Sequence, residues 1–300
     1  MKTIKQRISY AVMGLMAMGF TACTQNEDMA PTLKGQEINA TFSVGGMQTR
    51  VNTLGHGNNW EDKDKLKVSI FTDYDNGSTT VLSFNGETNE WSRRGSFRWL
   101  DESERHTILA VYPSDMDFGK ENLQYDLQTD QSSEGNLKNA DLITGYWHDI
   151  PRSYYVDIPM KHRMSLVTIV YHVGTADYPD KDISEPQVYS KHNSVDFSRD
   201  DRQGQFVMST PTANPAWVQA CKHDDGMFSA IVIPGSYIKD EVFLKFKIGD
   251  NNFNAKMKMP TDFEEGKRYT YKLDVGKDKV ELTRISVDNM TGWTNEDELK

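Results

Sequence analysis

The sequence predicts an all-β protein built from two β-sandwich domains. Apolar residues alternate with polar ones at a period of two in many short segments, and Gly, Asn and Asp are frequent between these segments. No convincing amphipathic helix is predicted after the first 22 residues. Many short strands at regular spacing, without helices between them, are typical of β-sandwiches.

The first predicted strand lies within Glu37–Val44. Ile38, Ala40, Phe42 and Val44 share one face of this strand, and the residues between them are polar or small. This strict alternation predicts a strand with one face on a core and the other face in water.

Later segments show the same period or are apolar on both faces. His106–Tyr112 is apolar on both faces, as expected of a central strand, and Arg163–Val173 is the longest segment of this kind. Two hairpins are predicted in Val242–Met259 and Tyr269–Leu282, because each contains a four-residue loop rich in Gly, Asn or Asp. Asp73–Gly77 is interpreted as a further turn, since the ligand pattern of a calcium loop is not continued after it.

A change in character divides the strand-rich part of the chain. Tyr146–Tyr155 is aromatic and irregular, which predicts a domain boundary near residue 152. We expect an N-terminal domain over residues 36–152 and a C-terminal domain over residues 153–300. Each part is long enough to bury a core of its own.

The first 22 residues are typical of an export signal. Lys2, Lys5 and Arg7 precede an apolar run from Ile8 to Ala22. This run is too short to cross a bilayer, because a spanning helix needs roughly 20 residues. We therefore expect residues 1–22 to be a signal peptide.

The end of this signal contains one of the two cysteines. Phe20–Cys23 resembles the lipobox of bacterial lipoproteins, in which small residues precede a cysteine. The resemblance implies cleavage between Ala22 and Cys23 and acylation of both the Cys23 thiol and the new N-terminus. Two or more acyl chains give stable attachment to a membrane, and residues 23–35 are then a polar tether. Thr24–Asp28 resembles the acidic tract that directs some lipoproteins to the outer face of the outer membrane. The alternative is an ordinary secretory signal with an incidental cysteine.

Charge and cysteine content limit the partners. The formal net charge is −10, and it falls to −13 without residues 1–22, which hold three basic and no acidic residues. Nucleic acid is excluded as a partner, because its binding needs clustered Lys and Arg. With Cys23 lipidated, Cys221 is the remaining cysteine, so we expect no intrachain disulfide and a buried, apolar role for Cys221.

No motif predicts catalysis, a cofactor or a metal. A Gly-rich phosphate loop and a Gly-x-Ser-x-Gly elbow are missing from the sequence, and its seven histidines are scattered. His162 and His172 are too far apart along one strand to share a metal ion. We expect no enzymatic activity, although the sequence leaves a sugar-hydrolysing carboxylate pair open. Four aromatic residues are candidates for a sugar-stacking platform, with burial in a core as the alternative: Trp91, Trp99, Trp147 and Trp217.

Several short segments along the chain form an ordered set of motifs: Thr49–Arg50, Trp60–Ile70, Thr107–Pro113, Asp141–Gly145, Ile158–Leu166, Ala230–Pro234, Gly266–Tyr271 and a terminal strand ending in Trp293. Taken in order, these segments resemble the fimbrillin family, specifically the fimbrillin-like group related to the minor fimbrillins, which are subunits of type V pili. Lys63 departs from the pattern of that family, which usually has glycine there, and Met160 replaces its usual phenylalanine.

The resemblance implies two tandem transthyretin-like β-sandwiches and an assembly mechanism. In that family a trypsin-like protease cuts after a basic residue beyond the first strand, and a neighbouring subunit donates a strand to the groove that opens. Here Arg50 is the candidate processing residue, Lys34 is a second one, and Ile38–Val44 is the removable strand. The alternative for Arg50 is an ordinary exposed arginine in a loop.

The best candidate for a donor strand is Val280–Val287. Its inward face is interrupted, because Val280 and Leu282 face one way whereas Ile285 and Val287 face the other. A bulge near Thr283–Arg284 would resolve the register. Without a bulge, the segment is better explained as a permanent strand of the C-terminal domain.

Three functions are compatible with the sequence. The leading hypothesis is a structural or adhesive subunit of a cell-surface fimbria, exported as an outer-membrane lipoprotein. Its partners are other fimbrial subunits, the outer membrane through the lipid anchor, and a host glycan or protein. The alternative is a surface lipoprotein that binds glycans through exposed aromatic residues and keeps Ile38–Val44 without polymerising. A hydrolase is the third hypothesis.

Overall fold

The computed structural model describes residues 32–44, 60–92, 97–174, 182–211, 214–223, 226–276 and 279–290. Residues 33–300 form one compact unit. The signal peptide, Cys23, most of the tether, Arg50 and Trp293 lie outside the described residues.

The described residues form 21 strands and one short helix. In chain order they are β1 (Asn39–Val44), β2 (Lys65–Phe71), β3 (Ser78–Asn85), β4 (Glu90–Trp91), β5 (His106–Tyr112), β6 (Asn122–Asp126), α1 (Glu134–Asn139), β7 (Ile143–Asp149), β8 (Tyr155–His162), β9 (Ser165–Val173), β10 (Ser184–Ser190), β11 (Ser194–Asp200), β12 (Gln205–Met208), β13 (Ala216–Gln219), β14 (Cys221–His223), β15 (Met227–Val232), β16 (Gly235–Tyr237), β17 (Val242–Ile248), β18 (Asn251–Lys256), β19 (Thr261–Phe263), β20 (Lys267–Val275) and β21 (Val280–Asn289). The predicted all-β class is confirmed, whereas the tandem transthyretin-like arrangement stays a prediction.

The first half of the chain builds one large sheet. Its seven strands follow the order β1-β8-β7-β5-β2-β3-β4. The strand β8 alternates strictly between exposed and buried residues along its whole length, as a strand with one face on a core must. Its buried residues join those of β1, β2 and β5 in one hydrophobic cluster.

The central strand β5 explains how this sheet meets the rest of the molecule. All seven of its residues are buried, which confirms the prediction of a central strand. Ile108 and Ala110 point into the cluster beneath β1, and Leu109 and Val111 point into a second, larger cluster. Because successive side chains of a strand face opposite ways, one strand serves two cores.

The second cluster is enclosed by the remaining sheets. These have the strand orders β14-β15-β9-β20-β21, β13-β10-β17-β18, β12-β11-β6 and β16-β19. Both predicted hairpins are present, one formed by β17 and β18 and the other by β20 and β21. The strand β6 from the first half of the chain pairs with β11, and its Leu123 and Tyr125 lie in the second cluster.

The two clusters are therefore interleaved along the sequence. The strand β8 follows the boundary expected near residue 152, yet it pairs with β1 and β7 in the first sheet. The strand β6 precedes that boundary, yet it contributes to the second cluster. The expected domains of residues 36–152 and 153–300 do not coincide with the two clusters, because strand pairing crosses the expected boundary in both directions.

The single helix of the described residues was not predicted. The segment α1 has only six residues, of which Leu137 is buried. The Ser133 side chain caps it by accepting a hydrogen bond from the Asn136 backbone N–H, which satisfies a group that a helix start leaves open. A helix of about one and a half turns with one buried residue is too short to show a helical period in the sequence.

The turn predicted in Asp73–Gly77 is present and needs its glycine. The backbone N–H of Gly77 donates to Asp75 Oδ1 over 2.8 Å. Gly77 has a φ of 62°, and a Cβ atom there would lie 1.7 Å from the Ile70 carbonyl oxygen. The turn chemistry accounts for this segment.

Lys63 occupies a backbone conformation that suits glycine. Its φ is 72°, and its backbone N–H donates to the Phe84 carbonyl oxygen over 2.9 Å. Its side chain is 88% exposed and pairs with Asp62 at 3.6 Å, an interaction that contributes little at this exposure. Lys63 stands where the family that the sequence resembles usually has glycine. It therefore adds backbone strain that its exposed contact with Asp62 hardly offsets.

We predict that Lys63→Gly stabilises the protein by up to about 1 kcal/mol, because relief of about 1–2 kcal/mol of left-handed strain exceeds the added flexibility of the unfolded chain. Urea denaturation of the purified protein measures this. The control Lys63→Ala removes the same side chain without relieving the backbone and should give no gain. A lower denaturation midpoint for Lys63→Gly than for Lys63→Ala would contradict the interpretation.

Candidate functional site: the first strand and its groove

The strand β1 lies at one end of the seven-stranded sheet and is held by two different segments. Its residues pair in parallel with β8, from Asn39 opposite Tyr155 to Val44 opposite Met160. The residues just before β1 pair instead with the segment 97–99. The Gly35 N–H donates to the Trp99 carbonyl oxygen over 2.8 Å, and the Ile38 N–H donates to the Phe97 carbonyl oxygen over 3.0 Å.

The inward face of β1 is the one that the sequence predicts. Ile38, Ala40 and Phe42 are 3%, 7% and 1% exposed, and Val44 packs against the same cluster while half-buried. The surface that these side chains cover is called the first-strand groove. It is formed by β8, the segment 97–99 and the aromatic residues around Phe42.

The Phe42 ring is seated among aromatic side chains. Its ring meets that of Trp91 edge-on, with 5.2 Å between centroids, and Trp91 meets Trp60 in the same way at 5.2 Å. Phe84 lies 5.3 Å from Trp91, and Tyr112 lies 5.7 Å from Trp60. Edge-on contacts of this kind add to the stabilisation from burial.

Trp60 also binds the backbone of the first strand. Its indole Nε1–H donates to the Phe42 carbonyl oxygen over 2.7 Å in a buried hydrogen bond. The sequence points to Trp60 only through the family resemblance and does not predict this bond. The N–H of a buried tryptophan usually finds a hydrogen-bond acceptor, but the sequence does not indicate which backbone carbonyl that is.

The outward face of β1 carries only exposed polar contacts. Thr41 Oγ1 donates to Asp157 Oδ1 over 2.7 Å, and Ser43 Oγ donates to Asp157 Oδ2 over 3.3 Å. Exposed hydrogen bonds contribute little net stability. The inward side chains and the backbone therefore hold β1 in place.

Lys34 lies in an exposed turn immediately before β1. Its side chain is 65% exposed and reaches within 3.7 Å of Asp101. Hydrogen bonds from Ser103, with a smaller effect of Lys34, hold the pKa of Asp101 well below its usual value. A cut after Lys34 removes only the tether and leaves β1 joined to the body. Only a cut in the linker 45–59, where Arg50 lies, separates β1 from the chain that follows.

The candidate donor strand is already paired within its own sheet. The strand β21 pairs antiparallel with β20 over nine residue positions, and its register shifts at Ile285, which lies between the paired Arg284 and Ser286. This bulge lies next to the predicted position, Thr283–Arg284, but it does not turn Ile285 and Val287 to the inward face. Leu282 is buried, whereas Ile285 is 56% exposed and Val287 is 45% exposed. Donation of β21 would require its release from β20.

The four tryptophans proposed as a sugar platform do not form an exposed row. Trp99 is 2% exposed, with Trp147 5.4 Å from it, and Trp91 belongs to the Phe42 seat. Trp217 packs against Tyr189 at 5.1 Å, and Lys245 Nζ lies 3.9 Å from its ring centroid. Their packing against neighbours favours the interpretation as core residues.

The segments around Asp141 and His162 meet in a buried polar network. Asp141 Oδ2 and His162 Nδ1 are 2.6 Å apart. Arg163 donates from Nε to Thr144 Oγ1 over 2.7 Å and from a terminal guanidinium nitrogen to Glu265 over 2.9 Å. Both segments resemble family motifs, and the network supplies a structural reason for them: it links β7, the end of β8 and the turn before β20.

Other candidate sites are accounted for by burial. Cys221 is a free cysteine and is 1% exposed. This burial agrees with the expected apolar role, and it raises the pKa of the thiol. No group of three or more His, Cys, Asp or Glu side chains is placed to hold a metal ion in the described part of the chain. None of the described residues belongs to a helix long and apolar enough to cross a membrane.

A family model described as fimbrillin-like matches residues 49–292. The chain belongs to the fimbrillin-like family. This match confirms the resemblance inferred from the ordered segments, and comparison with curated proteins finds no match. Two solved structures share the fold of this fimbrillin-like chain. Both are described as candidate cell adhesion proteins.

The first of these structures is from Bacteroides ovatus, at 15% identity, with 87% of this chain and 99% of that chain covered and a TM-score of 0.63. The second is from Bacteroides uniformis, at 14% identity, with 77% of this chain and 93% of that chain covered and a TM-score of 0.55. At these identities the similarity establishes the fold alone.

We predict that Phe42→Ala lowers the free energy of unfolding by about 3–5 kcal/mol, because it removes a fully buried aromatic side chain and leaves a cavity in the seat. Thermal and urea denaturation measure the loss. The matched control on the other face of the same strand is Thr41→Ala, which should lower the free energy of unfolding by less than about 1 kcal/mol. Equal losses for the two variants would show that β1 is not anchored by its inward face.

Proposed function

We propose that this chain is a structural subunit of a cell-surface fimbria, exported as a lipid-anchored precursor and assembled by replacement of its first strand. The observation that carries the proposal is β1 itself. It contributes a continuous buried face to a core, and the linker 45–59 is its covalent connection to the residues after it. The fimbrillin-like family match supports the same function.

The energetics of β1 suit a strand that is removed and replaced. Fully burying one large apolar side chain stabilises a protein by about 1.5–3 kcal/mol. Loss of Ile38 and Phe42 alone therefore forfeits about 3–6 kcal/mol, a large part of the stability of about 5–15 kcal/mol that is typical of a domain. The opened groove would also expose the backbone edge of β8. A body left in this state has a strong tendency to bind another strand.

The position of the linker suits processing at Arg50. A cut there leaves β1 on one fragment, and leaves the groove and Trp60 on the other. Cleavage after Lys34 does not open the groove, so Lys34 is assigned at most to release of the tether. The function needs no catalysis by this chain.

The lipid anchor is the second part of the proposal. Cys23 follows an apolar segment and begins a polar tether, so acylation would hold the precursor at the outer membrane until assembly. Two acyl chains suffice for stable anchoring without a membrane-spanning helix.

We predict that Cys23→Ser releases the protein from the membrane fraction, because the acylated thiol is lost. Metabolic labelling with a palmitate analogue and fractionation of cells measure this. Cys221→Ser is the matched control, which should leave both the label and the fractionation unchanged. An unlabelled native protein, or membrane association that survives Cys23→Ser, contradicts the lipid anchor.

We predict that an arginine-specific protease cuts the purified protein after Arg50 and that oligomers then grow when a second fimbrial subunit is added, because the open groove binds a strand of that subunit. Mass spectrometry locates the cut, and size-exclusion chromatography with light scattering follows growth. Arg50→Gln should block both steps, and Lys34→Gln should leave both unchanged. A cut protein that stays monomeric, keeps the β1 peptide and fails to join filaments of its own cells favours the glycan-binding alternative.

A further inference from the structure

The first-strand groove has features that restrict which strand can enter it. Three inward positions of β1 differ in size: Ile38 is a large aliphatic residue, Ala40 is small and Phe42 is aromatic, and all three are buried. A groove shaped around these three side chains binds some strands more tightly than others, because the stability of a close-packed core changes when even a single methylene group is added or removed.

The seat of Phe42 is the most selective part of the groove. Trp91 meets the ring edge-on and Trp60 meets Trp91 in the same way, and both residues follow the linker 45–59, so they stay with the body after a cut. An aliphatic side chain in this seat would leave much of the space empty. A seat lined by rings favours a planar ring as its occupant, through both shape and edge-on contacts.

The Trp60 indole adds a second requirement that does not depend on the side chain. Its N–H donates to the carbonyl oxygen of the residue that also fills the seat. Once β1 leaves, the indole N–H loses this acceptor and faces the opened groove. An entering strand regains the bond only when a backbone carbonyl stands at the same place, so the bond fixes the register.

We propose that the first-strand groove selects a strand with a small residue two positions before an aromatic residue, and that Trp60 fixes the register of this strand through its backbone carbonyl. This inference rests on the proposed replacement of β1 and names the chemistry of the strand that replaces it. The partner is a polypeptide strand with this pattern.

The pattern excludes the β21 segment of a second copy as the preferred occupant. Val280–Asn289 contains no aromatic residue. Continuing the alternation of Val280 and Leu282 would place Arg284 in the groove, where a buried charge is unfavourable. In this chain β21 is also committed to β20 along nine positions. Since β1 of each copy occupies its own groove and β21 lacks the pattern, the entering strand is assigned to a different protein, and this chain accepts a strand without giving β21 to its own kind.

The test uses the full chain with a site-specific protease sequence placed within residues 51–58, cut once and mixed with labelled peptides. The reference peptide is residues 36–44, whose affinity is measured by fluorescence anisotropy after exchange at raised temperature. Phe42→Ala in the peptide should weaken binding about 100-fold or more, and Ala40→Phe should also weaken it. Thr41→Ala, on the outward face, should change it by less than about threefold. A peptide of residues 280–289 should not compete.

The role of Trp60 is tested on the body of the protein. Trp60→Phe keeps a ring and removes the N–H, so it should weaken the reference peptide and the Phe42→Leu peptide by the same factor of about 10. Equal weakening of the two peptides indicates that Trp60 bonds to the peptide backbone. A loss of affinity confined to peptides with Phe42 would mean that Trp60 contributes only to the seat, and it would overturn the role of Trp60 in fixing the register. The peptide series on the unsubstituted protein stands even if Trp60→Phe does not fold.

The outcomes separate this inference from the proposed function. If the reference peptide does not exchange and the original strand stays bound, replacement of β1 fails and the inference fails with it. If the reference peptide binds and the Phe42→Ala or 280–289 peptide binds equally well, strand replacement stands and the selectivity is overturned. Strong binding of the reference peptide with the predicted losses supports both.

Discussion

The contact between Phe42 and its seat is the interaction on which this structure most depends. The Phe42 ring meets Trp91 edge-on, and Trp91 meets Trp60 in the same way. The Phe42 backbone carbonyl oxygen accepts a hydrogen bond from the Trp60 indole, and these contacts join the first strand to residues that come after the segment 45–59. Parallel pairing with β8 extends this contact along the strand. Parallel strands need a long connection between them, and here more than a hundred residues intervene. The strand that closes the first core is therefore held by residues that are distant in the sequence. Its stability comes from side-chain burial and not from a tight turn.

This arrangement makes one element both essential and separable. The inward residues of β1 complete a hydrophobic cluster, so the body is incomplete without them. The strand β1 pairs with β8 and not with the strand that follows it in the chain, so a cut within residues 45–59 does not disturb any described strand pair. These two properties are the ones that the proposed strand replacement requires, because a groove of this kind binds any strand with the same alternation.

Much of the fold is visible in the sequence because alternation is a direct consequence of a strand lying on a core. The inward face of β1 and the two-sided burial of β5 follow from that rule. The partner of β1 does not, because parallel pairing with β8 depends on contacts far apart in sequence. For the same reason β8 lies on the other side of the predicted boundary, and the bond from Trp60 and the pair of Asp141 and His162 come from tertiary placement alone. The short helix α1 is set by one serine cap, which is too brief a signal to distinguish from a turn.

The strand β5 serves both hydrophobic clusters at once, and the chain passes from one cluster to the other through β6 and back through β7 and β8. Bending the body between the clusters would mean deforming β5, whose two faces are both buried, and the chain crossings at β6, β7 and β8 would have to move together. The described part of the body therefore resists bending between the clusters. In a row of such bodies, as the proposed function implies, flexing would be concentrated at the points where one body meets the next.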